Sequence, residues 1–132
     1  FYVTAGLAGG RPFALTKRPN SKIYYSFADD ETGSSWTTPD ISGLDGIARR
    51  LHAHEAYGVA WVCYFDDQTG ILHSGHAEHP TSGPWTNEAT VAEYGPSSGD
   101  VVREVQMLKA GVHPAVVFRQ LDQDQIILGV YY

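Results

Sequence analysis

The sequence predicts an all-β fold made of repeated four-stranded units, and three observations carry that prediction. Among the 132 residues, 14 are glycine, 8 tyrosine, 5 phenylalanine and 3 tryptophan, which combines turn formers with residues that favour strands. Short apolar runs of five or six residues alternate with turn-forming residues, as in buried strands. The same landmarks also return at a nearly constant interval, which is the signature of a repeat architecture.

The landmarks are a glycine before an apolar strand, an isoleucine in the following strand, and a tryptophan. The glycines lie 48 and 53 residues apart and the isoleucines 48 and 55 apart, at Gly10, Gly58 and Gly111, and at Ile23, Ile71 and Ile126. Trp36 and Trp85 are 49 residues apart. Because the three landmarks move together, we interpret the chain as successive copies of one unit.

Each copy divides into strands in the same order. The copies span residues 1–46, 47–100 and 101–132 of a single domain. The first strands are FYVTAGLA, RRLHAHEA and REVQMLKA, the second PFALT, AWVCYF and PAVVF, and the third KIYYSF, GILHSG and QIILGV. The fourth strands begin near the tryptophans, at SWTTPDI and PWTNEATV. The third copy is incomplete, because the sequence stops before a fourth strand.

The stretch 47–56 is the one place where two local structures compete. Its sequence, IARRLHAHEA, could form an amphipathic helix, since Ile47, Leu51 and Ala56 lie near one helical face. Its register with residues 1–8 and 103–110 favours a strand instead. We therefore predict a strand.

The second and third strands of each copy are continuously apolar, which predicts strands covered on both faces. The residues between them, 18–21 and 66–70, carry the Pro, Asx, Ser and Gly residues of hairpin turns. Trp36 and Trp85 each follow a glycine-containing loop. We expect both rings to pack between neighbouring sheets.

Four-stranded copies of about 50 residues are typical of β-propeller blades. The patterns PAVV, IYYS and G-x-x-W-x-x-P resemble the β-propeller repeats of the sialidase-like, Asp-box type. Members of the Asp-box pattern Ser-x-Asp-x-Gly-x-x-Trp occur here in degenerate form, at Ser26, Asp29, Asp30, Gly33 and Trp36 and at Ser74, Gly83 and Trp85. The resemblance implies a propeller with functional groups around a central funnel.

A propeller closes with roughly four to eight blades, so the three copies form a partial ring. Two hypotheses follow: the chain is the remainder of a longer propeller, or a homo-oligomer completes the ring, for example two chains with six blades. The last strand, 126–132, is apolar and uncharged. Such an edge requires a partner, because an unpaired apolar edge promotes aggregation.

Composition argues against several partners. The net charge is −6 and no run of Lys or Arg exceeds two residues, which disfavours nucleic acid, since phosphate binding needs a basic footprint. No apolar run approaches the roughly 18 residues of a membrane span. Cys63 is the single cysteine, so an intrachain disulfide is impossible, and its apolar neighbours predict a buried, inert thiol.

Five residues are candidates for ligand binding: Trp61, Tyr64, Arg49, Glu55 and Arg103. Aromatic rings can stack on sugar rings, and the charged residues lie on the first strands. Trp61 and Tyr64 are expected on opposite faces of their strand, because side chains alternate. One of them at most can therefore line a given cleft.

No catalytic residue, metal site or cofactor is predicted. His52 and His54 share a strand face, and three further histidines lie together with Glu78 at His73, His76 and His79, but without a zinc-type spacing. A sialidase-like hydrolase is the enzymatic alternative, since that family uses arginines, a tyrosine and carboxylates. Arginines available for such a site are Arg49, Arg50 and Arg103, with Arg11 and Arg119 nearby.

The function that these observations favour is non-catalytic binding of a glycan or protein receptor. The resemblance implies an extracellular, phage or cell-surface setting. One alternative is a structural or decoration domain within a larger assembly, and another is a fragment of a sialidase-like glycoside hydrolase.

Overall fold

A computed structural model describes residues 2–19, 22–37, 40–41, 44, 48–79, 82–95, 102–120 and 125–130. Within these ranges the chain is all-β, with eleven strands and no helix. The described part therefore also contains no helix that could span a membrane. The stretch that might have been helical is strand β5, as its register with the other copies predicted.

The strands form three antiparallel sheets, and in each sheet every strand pairs with the next one along the chain. Sheet 1 contains β1 Tyr2–Ala8, β2 Arg11–Lys17, β3 Ile23–Phe27 and β4 Asp40–Ile41. Sheet 2 contains β5 Ala48–Ala56, β6 Val59–Asp66, β7 Ile71–His79 and β8 Ser82–Glu93. Sheet 3 contains β9 Val102–Ala110, β10 His113–Gln120 and β11 Gln125–Val130. None of the three closes on itself.

Strand pairing repeats from sheet to sheet with the predicted period. Equivalent pairs are Ala5 with Ala14, Ala53 with Val62, and Met107 with Val116. Both members of the pair advance by 48 residues and then by 54. The third strands follow the same pattern with one adjustment, because Leu72, rather than Ile71, holds the position of Ile23 and Ile126.

Turn chemistry explains the hairpin between β6 and β7. The Asp66 carboxylate accepts hydrogen bonds from the Gln68 backbone N–H and the Thr69 hydroxyl, both at 2.9 Å. Gly70, with a φ of 71°, then donates its N–H to the Asp66 carbonyl at 2.8 Å. Glycine suits this position because a positive φ is strained for residues with a Cβ. The predicted turn over 66–70 is confirmed.

Sheet 2 lies between the other two sheets, and its faces belong to two different cores. Alternate residues of β6 serve each core: Val62 and Tyr64 face sheet 1, whereas Cys63 and Phe65 face sheet 3. In β2 of sheet 1, by contrast, Phe13 and Leu15 are buried and their neighbours only partly so. Coverage on both faces is therefore confirmed for β6, and β2 is covered mainly on one face.

Neighbouring sheets approach each other chiefly through their first strands, β1 with β5 and β5 with β9. The first core joins Phe13, Leu15 and Phe27 of sheet 1 to residues of sheet 2. The second core joins sheet 2 to Met107 and Phe118 of sheet 3. Burial of these apolar side chains holds the stack together, because each sheet alone would leave its faces exposed to water.

The two tryptophans differ in their surroundings. Trp85 is 5% exposed and lies in the first core, with its ring centroid 6.1 Å from that of Tyr25 in sheet 1. Trp36 is 44% exposed and donates its Nε1–H to the Gly33 carbonyl at 3.0 Å. The expectation that both rings pack between sheets is confirmed for Trp85 and wrong for Trp36. Sheet 1 has no sheet on the corresponding side in the described part of the chain.

The two-sided burial of sheet 2 predicts a matched pair of effects. Val62→Ala removes two methyl groups from a fully buried position and is expected to lower the free energy of unfolding by about 2 kcal/mol. Val112→Ala makes the same change in an exposed turn and should alter it by about 0.5 kcal/mol or less. Urea denaturation followed by circular dichroism measures both; equal effects would contradict the assignment of the core.

Candidate functional site

A shallow cleft of about 240 Å³ lies where the first strands of the sheets begin. Its lining comes from all three sheets: Tyr2, Arg50, Leu51, His52, Arg103, Glu104, Val105 and Gln106. The repeat explains why these side chains meet. Tyr2, Arg50 and Glu104 occupy equivalent positions in successive first strands, 48 and 54 residues apart. Side chains at one position of the repeat thus come together where the strands converge.

Arg50 is held within this cleft by the neighbouring sheet. Its Nε–H donates to the backbone carbonyl of Arg103 on β9. Its Nη1 is buried and has no hydrogen-bond partner among the described residues. A guanidinium nitrogen without a partner is costly to bury. Among the described residues, this donor is therefore left unsatisfied.

Arg49, the adjacent residue, points elsewhere. The pairing of β5 with β6 shifts between Ala48 and Arg50, and such an irregularity changes the direction of neighbouring side chains. Arg49 forms an ion pair with Asp67 in the turn after β6. Burial raises the pKa of Asp67, although the charges of Arg49 and Arg50 act in the opposite direction. Arg49 is therefore engaged in a structural contact outside the lining of the cleft.

His52 connects the cleft to the packing of the sheets. Its Nδ1 accepts a hydrogen bond from the Met107 backbone N–H on β9 at 3.0 Å. Burial lowers the pKa of His52 from its ordinary value of 6.5, and the nearby His54 adds to this effect. Because Nδ1 accepts this hydrogen bond, it carries no proton. The ring is therefore neutral when the bond is made.

Glu55 lies near the opposite end of β5 from the arginines. Six residues of strand separate it from Arg49, or about 20 Å along the strand. Its carboxylate accepts the Gly58 backbone N–H at 2.7 Å and pairs with Lys109 of sheet 3 at 3.2 Å. The Gly58 bond, followed by the contact with Lys109, lowers the pKa of Glu55. The predicted binding residues Arg103 and Glu55 therefore do not share one site.

The two predicted aromatic ligands also separate, as alternation on β6 requires. Tyr64 is fully buried in the first core and stacks on His73, with ring centroids 5.1 Å apart. Trp61 is partly buried beside the second core and stacks on His76 at 4.8 Å. Opposite faces are confirmed. Tyr64 is enclosed by its core, so that Arg103 is the member of the predicted set that lines the cleft.

One group of residues in this cleft was not predicted from the sequence alone: Tyr2, Arg50, His52, Glu104 and Gln106. The signal that could have found them is the repeat itself. Even-numbered residues at the start of the first strands occupy equivalent positions and one face of each strand. Aligning the copies and comparing those positions would have grouped these residues.

The histidines on β7 do not form a cluster. His73 stacks beside the first core and His76 beside the second, on opposite faces of sheet 2. Within the described ranges, no three His, Cys, Asp or Glu side chains come together as metal ligands. Cys63 is buried, as predicted, and its burial raises the pKa of the thiol.

The loop after β3, which carries the Asp-box-like residues, is closed by its own hydrogen bonds. The Asp30 carboxylate accepts the Thr32 backbone N–H at 2.9 Å and the hydroxyls of Thr32 and Ser34. These bonds hold the pKa of Asp30 well below its usual range. Asp29 accepts from the Ser35 hydroxyl. Both aspartates therefore stabilise the loop.

No protein-family model matches the chain, and no curated protein is significantly similar to it in sequence.

The contact of His52 predicts a pH-dependent stability. A pKa that is lower in the folded than in the unfolded protein means that the unfolded chain binds the proton first. The free energy of unfolding should therefore fall as the pH drops below 6.5. His52→Gln keeps a hydrogen-bond acceptor but has no titrating ring. The free energy of unfolding of this variant should therefore fall less steeply over the same pH range.

Urea titrations of both proteins between pH 7.5 and 5 measure this difference. His73, whose pKa burial also lowers, is present in both proteins, so the comparison isolates His52. Parallel pH profiles would contradict the role assigned to this histidine.

Proposed function

We propose that the chain is a non-catalytic binding module whose sheets are consecutive blades of a β-propeller. In this proposal the cleft at the start of the first strands binds a glycan that carries a carboxylate. The observation that carries the proposal is the meeting of two arginines, Arg50 and Arg103, in the lining of one cleft, where Nη1 of Arg50 has no hydrogen-bond partner among the described residues. The sialidase-like resemblance of the repeats is consistent with it.

The arrangement of the sheets supports the propeller. Each sheet is a meander whose strand order follows the chain, as in a propeller blade. Sheet 2 is covered on both faces, and neighbouring sheets are closest at their first strands. Blades arranged around an axis require this contact, because their first strands line the centre and their later strands lie farther out.

The chemistry of the cleft supports an acidic, hydroxyl-rich ligand. A guanidinium group presents planar donors that match a carboxylate, and such charge-assisted hydrogen bonds are stronger than neutral ones. The ring of Tyr2 is partly exposed in the same cleft and offers an apolar surface for a sugar ring. The two arginines are notable in a chain with 15 acidic and 9 basic residues, since they provide a local positive charge.

The lining also supports binding rather than hydrolysis. Glu104 is the one carboxylate among the described residues that line the cleft. Most glycoside hydrolases place two carboxyl groups on either side of the scissile bond. Glu55, the acidic residue that was predicted to bind a ligand, pairs with Lys109 at the far end of β5.

The test is a glycan array with acidic and neutral sugars, followed by calorimetric titration of the best ligand. We expect acidic glycans to bind and Arg50→Ala to weaken them at least about tenfold, since a hydrogen bond to a charged group contributes roughly 1.5–3 kcal/mol. Arg11→Ala is the matched control. Arg11 bonds to the Asp29 carbonyl at 2.7 Å, outside the lining of the cleft.

Absence of acidic-glycan binding, or equal losses in the two variants, would overturn the proposed site. Release of a fluorophore from a fluorogenic sialoside, abolished by Arg50→Ala, would instead establish the hydrolase alternative.

A further inference from the structure

One hydrogen bond recurs at both interfaces between sheets. The Thr4 hydroxyl oxygen of sheet 1 accepts the Ala53 backbone N–H of sheet 2 at 3.0 Å. His52 Nδ1 of sheet 2 accepts the Met107 N–H of sheet 3, also at 3.0 Å. The two acceptors are 48 residues apart and the two donors 54 apart, which are the spacings of the repeat. Sheet 2 thus offers an acceptor to the following sheet and an N–H to the preceding one.

Sheet 3 carries the acceptor, and sheet 1 the donor, that a further hydrogen bond of this kind would need. Gln106 of sheet 3 stands at the position of Thr4 and His52, is exposed, and has an amide oxygen that can accept. Ala5 of sheet 1 stands at the position of the two donors and is also exposed. Its pairing with Ala14 repeats that of Ala53 with Val62. The alternation of N–H directions along a strand therefore points the Ala5 N–H away from β2.

The exposed face of sheet 1 matches a face that is buried one repeat later. Val3 is 67% exposed, whereas Leu51, its equivalent in sheet 2, is buried against sheet 1. Trp36 and Trp85 differ in the same way. In sheet 2 the equivalent face is covered by sheet 1. In sheet 1 the same face is therefore apolar and exposed. Exposed apolar surface of this kind marks an interaction site.

Sheet 3 shows the complementary change on its outer face. Leu15 of sheet 1 and Cys63 of sheet 2 are fully buried by the following sheet. Val117, at their position in sheet 3, is partly exposed and lines an open cleft of about 230 Å³ with Glu104, Gln106 and Arg119. The outer face of sheet 3 therefore has the form of a surface that a following sheet would cover.

We propose that this face of sheet 3 docks on the exposed face of sheet 1 of a second copy of this chain, head to tail. Gln106 of one copy would accept the Ala5 N–H of the other, repeating the bond that joins the internal sheets. A head-to-tail contact either closes into a ring or continues as an open polymer. Two copies contain six sheets, which falls within the roughly four to eight blades of a closed propeller. The expected assembly is a closed dimer, independent of any ligand.

Sedimentation velocity and light scattering on the 132-residue chain measure the assembly directly. We expect a mass twice that of the 14.4 kDa chain at micromolar concentration. Val3→Asp places a charge on the exposed face of sheet 1 and should weaken dimerisation at least tenfold. Val112→Asp is the control, because Val112 is 57% exposed in the turn before β10. Both substitutions are at the surface, and circular dichroism checks that each variant folds.

A mixing experiment separates head-to-tail docking from docking of like faces. Val3→Asp weakens docking through the face of sheet 1 and Val117→Asp through the face of sheet 3, and each variant alone should dimerise at least about tenfold more weakly than the unmodified chain. Mixed together, they retain one intact pair of faces and should form a heterodimer. Heterodimer formation supports the proposal, and its absence overturns it.

Three results, two for the unmodified chain and one for the variants, would also overturn the proposal. A monomer at tens of micromolar would mean that other structures cover both faces, such as further sheets of a longer polypeptide. Dimerisation that survives Val117→Asp but not Val3→Asp would indicate contact between like faces. A series of larger species would exclude the closed pair.

Discussion

Burial of both faces of sheet 2 is the constraint on which the rest of the structure depends. The central strand β6 sends alternate side chains into two cores, so neither core exists without a neighbouring sheet. Because apolar burial supplies most of the favourable free energy of folding, sheet 2 is stable only as the middle layer of a stack. The same requirement applied to sheets 1 and 3 explains their exposed apolar residues, since each has a neighbour on one side in the described part of the chain.

The first strands join stability to the candidate site. The first strand of each sheet is an edge strand that pairs with one other strand. Alternate backbone N–H groups of this strand therefore point away from the paired strand and need other partners. Thr4 and His52 satisfy two of these groups across the interfaces. His52 also lines the cleft. His52 therefore takes part both in the contact of β5 with β9 and in the proposed binding site, so that substitution of His52 affects packing as well as the cleft.

The position of the arginines around the cleft depends on the shift in pairing between β5 and β6, as well as on the presence of two consecutive arginines. Two consecutive arginines begin β5, and the shift in pairing beside them separates their roles. Arg49 forms an ion pair with Asp67, and Arg50 crosses to sheet 3 with Nη1 left unpaired. The ion pair joins a mostly exposed arginine to a largely buried aspartate, whereas the buried guanidinium nitrogen of Arg50 has no partner among the described residues, which is unfavourable. This contrast makes Arg50 the more informative of the two positions.

The sequence alone determined the local structure, because its signals are local. Strand positions follow from short apolar runs, the β6–β7 turn from Asp66 and Gly70, and the strand over 48–56 from its register with the other copies. Burial of Cys63 follows from its apolar neighbours.

The tertiary structure decided which residues meet. The alternation of side chains along β6 predicted that Trp61 and Tyr64 lie on opposite faces, but only the packing of the sheets enclosed Tyr64 in a core. It also buried Trp85 while exposing Trp36, and brought Tyr2, Arg50 and Arg103 into one cleft. The reason is physical: periodicity assigns a side chain to a face of its strand, whereas the neighbouring sheet determines what covers that face.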